Sequence, residues 1–452
     1  MDEPRLYDRE FHDDLVALLD TRDEKLIRAL LAQLHPADLA DMLEHLDDEE
    51  RSYAFGLIAP ELRSQALAEL EDGTRERLLS QLPPDEIADL VEELDSDDAT
   101  DVVQDLPTER VERVLQEVAL PEARDVRRLL AYPEDTAGGI MATEFVAVPE
   151  EETVDEAIER LRRGAESQGD IPYVFVVDAD GRLSGWLSLR DLLLSGPQRR
   201  VADLADRDVR SVPATMDQEQ VAELVRKYDL ALVPVVDEAG RLIGQITLDD
   251  ILDVYEQETS EDFSRLSGAL QEESPADSVL TVSRNRLPWL LLGLMGGILS
   301  AYVMSLHTTS MHRAVEIAFF VPVIMAMGGN VGIQSSATVV RGLATGEIRE
   351  PGSATRLIKE ILVGALNAIL LAFALWLIVT VWLGKGKLAA VVGCSLALSM
   401  VFAAAVGSAV PLLLKRIGID PALATGPFVT TANDLLGLIL YLTAATTLLS
   451  WT

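Results

Sequence analysis

Asp434 lies within GPFVTTANDLLGLILYL (residues 426–442), a stretch with the apolar bulk of a membrane-spanning helix. A carboxylate in hydrocarbon costs roughly 2.5 to 3.5 kcal/mol on insertion scales, so an ionisable side chain there points to an ion path. A second apolar stretch contains MAMGGNVGIQSS (Met325–Ser336), where Gly328, Gly329 and Gly332 neighbour the polar Asn330 and Gln334. Glycines alone would serve close helix packing. Gly-Gly-Asn equally suits a broken or unwound helix whose carbonyls face a water-filled path. Polar residues in two separate spans, Asn330 and Asp434, favour the path. A membrane metalloprotease would need H-E-x-x-H, but His307 and His312, in HTTSMH, have no Glu between them. An anion path is disfavoured because Asp434 would repel its ion. These residues point to cation transport and away from an enzyme.

Crossing roughly 30 Å of hydrocarbon takes about 20 apolar residues. Uncharged runs of that length are Leu287–Leu306, Ile317–Val340, Ile361–Gly384 and Leu388–Leu414, and a fifth, Pro421–Thr452, is interrupted only by Asp434. Five spans put the termini on opposite sides. One set of flanks carries Arg284, Arg286, Arg341, Arg349, Arg356, Lys359, Lys415 and Arg416, the other Arg313, Lys385 and Lys387. Positive charge stays inside. The expectation is a multi-pass protein of the plasma (inner) membrane, with its N-terminus cytosolic and its C-terminus outside. The opening MDEPRLYDREFHDD is charged and lacks an apolar h-region, so no cleaved signal peptide is expected.

The 452 residues carry a formal charge of −37 and a pI near 4.4. From Leu287 onward there are 9 Lys+Arg and 6 Asp+Glu, leaving 29 and 69 before it, a net −40. So acidic a half repels nucleic acid and attracts cations. The single cysteine, Cys394, allows no intrachain disulfide and no cysteine metal cluster.

The acidic half repeats itself. LHPADLADMLEHLD from Leu34, IAPELRSQALAELE from Ile58, LPPDEIADLVEELD from Leu82 and LPTERVERVLQEV from Leu106 recur every 24 residues. Each has a proline near its start, where the first turn of a helix accepts it. Apolar residues then follow at helical spacing, as in Leu39, Met42, Leu43 and Leu46. Such units stack into a superhelix, since none buries its apolar face alone. A second repeat aligns YVFVVDADGRLSGWLSLRDLL from Tyr173 with LVPVVDEAGRLIGQITLDDIL from Leu232, each reading strand, Asp-x-x-Gly turn, strand, helix. Helices over 154–163 and 218–228 precede them. This pair resembles tandem CBS modules. The G-x-x-[ST]-x-x-D signature appears as Gly185, Ser188 and Asp191, then as Gly244, Thr247 and Asp250. That resemblance implies an adenine-nucleotide site, ATP or another, involving Tyr173, Ser188, Arg190 and Asp191, or else a dimerising scaffold.

In order, the acidic superhelix, CBS pair, linker helix and five spans resemble the MgtE family of magnesium channels or transporters. The likeness covers nearly the whole chain and is specific in GGNVGIQ (328–334) and DPALATGPFVTTANDLLG (420–437). It implies a multidomain membrane protein: an α-superhelical domain over 1–132, an α/β CBS pair over 133–197 and 198–256, a linker helix over 257–285, and an all-α five-helix pore domain over 286–452. It further implies a homodimer in the lipid bilayer, its pore lined by the second and fifth spans, with Asp434, Asn330, Gly328 and Gly329 meeting the ion. Cytosolic Mg2+ ligands carried over from the family are Asp97, Asp101, Glu219, Asp229, Asp250, Asp253, Glu258, Glu261 and Asp262. Singly, each reads as a solvated surface carboxylate; together they suggest negative feedback, with Mg2+ bridging carboxylates that otherwise hold the cytosolic domains apart. A divalent-cation secondary carrier working by alternating access is the alternative, since broken helices at midplane would fit it.

Overall fold

The computed structural model describes residues 16–19, 21–164, 173–267, 278–308, 315–344, 348, 353–417, 421 and 427–449. It divides into two compact units, Met1–Glu258 and Thr259–Thr452.

The first unit opens on short helices: α1 (Glu24–Leu31), α2 (Pro36–Glu44), α3 (Asp48–Phe55), α4 (Pro60–Ala68), α5 (Asp72–Gln81), α6 (Pro84–Glu92), α7 (Ser96–Gln104), α8 (Thr108–Glu117) and α9 (Leu120–Leu129). Each 24-residue unit therefore holds two helices, because α3, α5, α7 and α9 follow the proline-led helices after short turns. Local chemistry sets the punctuation. Pro36, Pro60 and Pro84 occupy first helical positions, and Asp47 and Glu50 form a reciprocal capping box before α3. Leu39, Met42, Leu43 and Leu46 are all buried, so the apolar stripe is the core. Arginines close helix ends: buried Arg51 donates to the carbonyls of Leu43 and Leu46 at 2.8 and 2.6 Å. Arg75, one repeat later, donates to those of Ala68 and Leu70. Carbonyls left over at a helix C-terminus thereby find donors.

The CBS pair follows as two three-stranded sheets. In the first, β1 (Ala147–Pro149) runs parallel to β2 (Tyr173–Val177), which pairs antiparallel with β3 (Leu183–Ser188); in the second, β4 (Val212–Pro213), β5 (Leu232–Val236) and β6 (Leu242–Thr247) repeat that order. Between strands lie α10 (Val154–Gly164), α11 (Leu189–Leu194) and α12 (Gln218–Tyr228). Both Asp-x-x-Gly turns form as expected, with Asp178 and Asp237 accepting backbone N–H groups two and four residues on. Gly181 and Gly240 take φ of +78° and +80°, where glycine meets no Cβ penalty. The signature glycines have a steric role. A Cβ on Gly185 would lie 2.7 Å from the Asp206 carbonyl, and one on Gly244 would lie 2.8 Å from the Ala142 carbonyl.

After β6, α13 (Leu248–Ser267) runs without a break, so Asp250, Asp253, Glu258 and Glu261 share one helix. Of the linker helix expected over 257–285, residues 257–267 lie on α13 and 279–285 on the next helix, while 268–277 lie outside the described residues.

The second unit holds α14 (Val279–Leu306), α15 (Glu316–Ala344), α16 (Ser353–Leu383), α17 (Gly386–Arg416) and α18 (Pro427–Leu449), each long and apolar enough to cross a membrane. α17 is the most buried, while α14 and α16 expose Leu290, Leu294, Leu366, Ile369 and Phe373, a surface suited to hydrocarbon rather than water. The expectation of a broken second span is not met. α15 passes through Gly328–Gly329–Asn330 as one continuous helix. Its glycines are used in packing instead. A Cβ on Gly407 would collide with the Gly332 backbone, and one on Gly332 with the Asn433 amide. Small residues let backbones approach where lipid gives no hydrophobic drive.

Candidate functional site

Two acidic sites emerge, one in each unit. In the first, α7 brings Asp97, Asp98 and Asp101 against the start of α13, which carries Asp249, Asp250 and Asp253. Burial, with Asp250 and Asp98 adding like charge, pushes Asp97 well above the usual carboxylate range. Asp98 and Asp101 keep some surface open to water but are crowded by protein on their other sides. That desolvation first, and neighbouring carboxylates second, push each up to about 7. Burial raises Asp250 as well, against the lowering pull of Thr247, whose N–H and Oγ donate to it at 2.8 and 2.7 Å. Asp253 is raised by burial and then by Glu69. Arg75 relieves part of this charge: it donates to Asp105 at 2.6 Å and lowers Asp101.

Asp97, Asp101, Asp250 and Asp253 therefore meet at one cleft. Glu69, Asp98 and Asp249 join them without having been singled out in the sequence. Asp98 and Asp249 adjoin Asp97 and Asp250 in sequence, whereas Glu69 arrives only through the stacking of repeats, which sets the end of α4 beside α7. Glu258 accepts from Gln218 Nε2 at 2.9 Å where α12 meets α13, and Glu219 is the next residue along α12. Glu261 lies one turn further along α13. Asp229 caps the far end of α12 in the left-handed conformation, φ +52°, about 15 Å from Glu219 by helical rise, so it does not join that group within one chain. Asp262 has its side chain outside those described.

All the donors at the cleft are hard carboxylate oxygens, which suit Ca2+ or Mg2+ and not a soft metal. Among the described residues, no three His, Cys, Asp or Glu side chains converge tightly enough to cage an ion. A bare ion is thus poorly served; an ion keeping its waters, as Mg2+ tends to, fits carboxylates spaced across a cleft.

In the first CBS module Ser188 caps α11, donating from Oγ to Asp191 at 2.6 Å while Asp191 N donates back at 3.1 Å. Tyr173 stacks on Trp186, centroids 4.6 Å apart, and Arg190 is exposed. A hydroxyl, a carboxylate, an aromatic face and a cation thus cluster at the β3–α11 corner.

In the second unit Asp434 is half-buried on α18. Its Oδ1 lies 3.8 Å from where a Gly329 Cβ would stand, and Gly328 faces Ser399 on α17. Asn330 is exposed on the neighbouring face of α15, in line with Val323, Gln334 and Ile333. Tyr441 ties α18 to α15 by donating to the Ile317 carbonyl at 2.8 Å.

Family models match three regions: an MgtE intracellular N domain at 34–135, CBS domains at 137–195 and 201–257, and a divalent cation transporter domain, MgtE, at 321–444. The "Magnesium transporter MgtE" of Thermus thermophilus is 37% identical over 438 residues, covering 95% of this chain and 97% of that protein. The protein of that name from Bacillus subtilis is 35% identical over 72% of each chain. Residues of the soluble half also match a crystal structure of "the cytosolic domain of the Mg2+ channel MgtE in complex with ATP", at 38% identity and a TM-score of 0.51, covering 54% of this chain and 99% of that one.

The raised carboxylates set a pH dependence. An aspartate whose folded pKa exceeds its unfolded value of about 3.9 contributes stability below that value and loses it as pH rises through the folded pKa. For Asp98 and Asp101 that loss accumulates from about pH 4 and is complete once the pH passes the folded value of about 7. In Mg2+-free buffer, raising the pH from about 6 to about 8 should loosen the α7–α13 contact. Amide exchange along α7 in the full chain, corrected for its intrinsic pH dependence, should speed up, and millimolar Mg2+ should abolish the difference. Exchange insensitive to pH would show that these carboxylates impose no strain.

Proposed function

This chain belongs to the MgtE family of divalent cation transporters rather than to any enzyme family, and we propose that it conducts Mg2+ through a pore containing Asp434 and senses it at the acidic cleft. The observation that carries the transport reading is Asp434, a carboxylate placed against Gly329 among five apolar helices. Alone it would be costly in hydrocarbon; a passing cation offsets its charge. In a homodimer, the exposed stripe of α15 with Asn330 would face its symmetry mate, and two Asp434 carboxylates would share one hydrated ion. Gly328 and Gly329 serve this pore by letting helices close in. The loop charges support an inner-membrane orientation with the acidic unit in the cytosol.

Feedback follows from the cleft. Without Mg2+, ionised carboxylates on α7 and α13 repel one another and favour an open arrangement. A cation that bridges them binds the compact form preferentially and shifts the population. Because α13 precedes the membrane unit directly in sequence, its position would couple cleft to pore, and Glu219, Glu258, Glu261, Asp262 and Asp229 would add cation sites along that route. The unbroken α15 lends no support to the broken midplane helix that a carrier working by alternating access would use. At the β3–α11 corner, Ser188 and Asp191 would hold the ribose of ATP, with Tyr173 and Arg190 contributing to the site.

Asp434→Ala should reduce Mg2+ uptake into liposomes to the level of empty vesicles while the protein still inserts and elutes as the wild type does. Uptake at the wild-type rate by that folded variant would remove Asp434 from the pore. For the nucleotide, Asp191→Ala should weaken ATP binding about tenfold to hundredfold, as loss of a hydrogen bond to a charged group does. Titration calorimetry on the full chain decides it; equal affinity in both proteins would refute the assignment.

A further inference from the structure

One end of the acidic cleft is tied by hydrogen bonds. Ser96, the first residue of α7, is buried, and its Oγ donates to Glu144 Oε2 at 2.7 Å while its N–H donates to the same oxygen at 3.3 Å. The Oγ in turn accepts from Thr143 N and Thr143 Oγ1 at 2.8 and 3.0 Å. Every hydrogen-bonding role of that hydroxyl is filled. Glu144 belongs to the CBS side: its carbonyl accepts from Gln245 Nε2 at 2.7 Å, and Ala142 and Gln245 exchange two backbone hydrogen bonds. Gln245 sits on β6, the strand that leads directly into Thr247 and Asp250. One chain of polar contacts therefore runs from β6, the strand that precedes Asp250, through Glu144, to the residue before Asp97.

Resting on the sensing role proposed above, we infer that Glu144 is a positioning residue for that step. It caps α7 from another domain. A helix N-terminus favours a carboxylate and leaves orphan N–H groups; Asp95 makes no side-chain cap, and Glu144 takes one of them, that of Ser96. The bonds need no divalent ion, so they persist when the facing aspartates repel. Repulsion then swings α7 about its Ser96 end instead of detaching it, and Asp97 stays within reach of Asp250. The cation has only to close the Asp101 end of a cleft whose other end is already held, which lowers the concentration it needs.

The test follows Mg2+-dependent protection of α13, by limited proteolysis of the full chain in lipid nanodiscs, for wild type, Glu144→Ala, Glu144→Gln and Ser96→Ala. Losing a cap should raise the Mg2+ midpoint about tenfold in Glu144→Ala and Ser96→Ala. Glu144→Gln keeps an acceptor oxygen and should stay within about twofold of wild type. The Ser96 amide should also exchange faster in Glu144→Ala even without Mg2+. A carboxylate acting only as one more repulsive charge gives the opposite sign, with both Glu144 variants closing at lower Mg2+, and that result overturns the inference. So does an unshifted midpoint in Glu144→Ala when wild type responds normally. Wild type showing no Mg2+-dependent protection would instead bring down the sensing role itself, and this inference with it.

Discussion

Carboxylates at the α7–α13 contact are held closer together than their charges favour. Two like charges ~4 Å apart repel by about 1 kcal/mol in water and about 4 at an effective dielectric of 20. Burial and like charge together leave Asp97, Asp98, Asp101, Asp250 and Asp253 all harder to ionise than free aspartate. Arg75 offsets some of that charge on Asp101. A contact strained in this way has a free energy that depends on the cations around it. The helical repeats and the CBS sheets can then be understood as scaffolds that fix which aspartates meet.

The membrane unit obeys a related constraint. Lipid supplies neither water for a carboxylate nor a hydrophobic force between helices. Gly332 and Gly407 bring the backbones of α15 and α17 into contact, and Gly332 and Gly329 admit the side chains of Asn433 and Asp434 from α18 beside α15. Tyr441 fixes the other end of that pair through the Ile317 carbonyl. Close packing and a polar path are competing explanations of Gly-Gly-Asn; in the structure the glycines pack while Asp434 and Asn330 supply the polarity.

Periodicity made much of this legible. The apolar stripes at Leu39, Met42, Leu43 and Leu46 and the five uncharged runs depend on local spacing, which a chain displays directly. The Asp-x-x-Gly turns could be read because only certain residues accept φ near +80°. Other features were hidden for physical reasons. The second helices of the first two repeats are polar enough that their period is weak, as in DEERSYAF over α3. Glu69 and Glu144 join the site through contacts across tens of residues, and nothing in their own neighbourhoods sets them apart from other acidic surface residues. The helical course of α15 was also hidden, since glycine's tolerance of unwinding is the same property that permits close packing.

Mg2+ flux through the full chain in liposomes, measured while cytosolic-side Mg2+ is titrated, tests the central claim most directly. The comparison is with Asp97→Asn, Asp101→Asn, Asp250→Asn, a triple variant that keeps size and hydrogen-bonding shape but removes the charge that strains the cleft. Wild-type flux should fall as cytosolic Mg2+ rises into the millimolar range. Flux through the triple variant should be nearly independent of cytosolic Mg2+, whether the relieved cleft rests open or closed. An identical Mg2+ dependence in the two proteins would contradict the account.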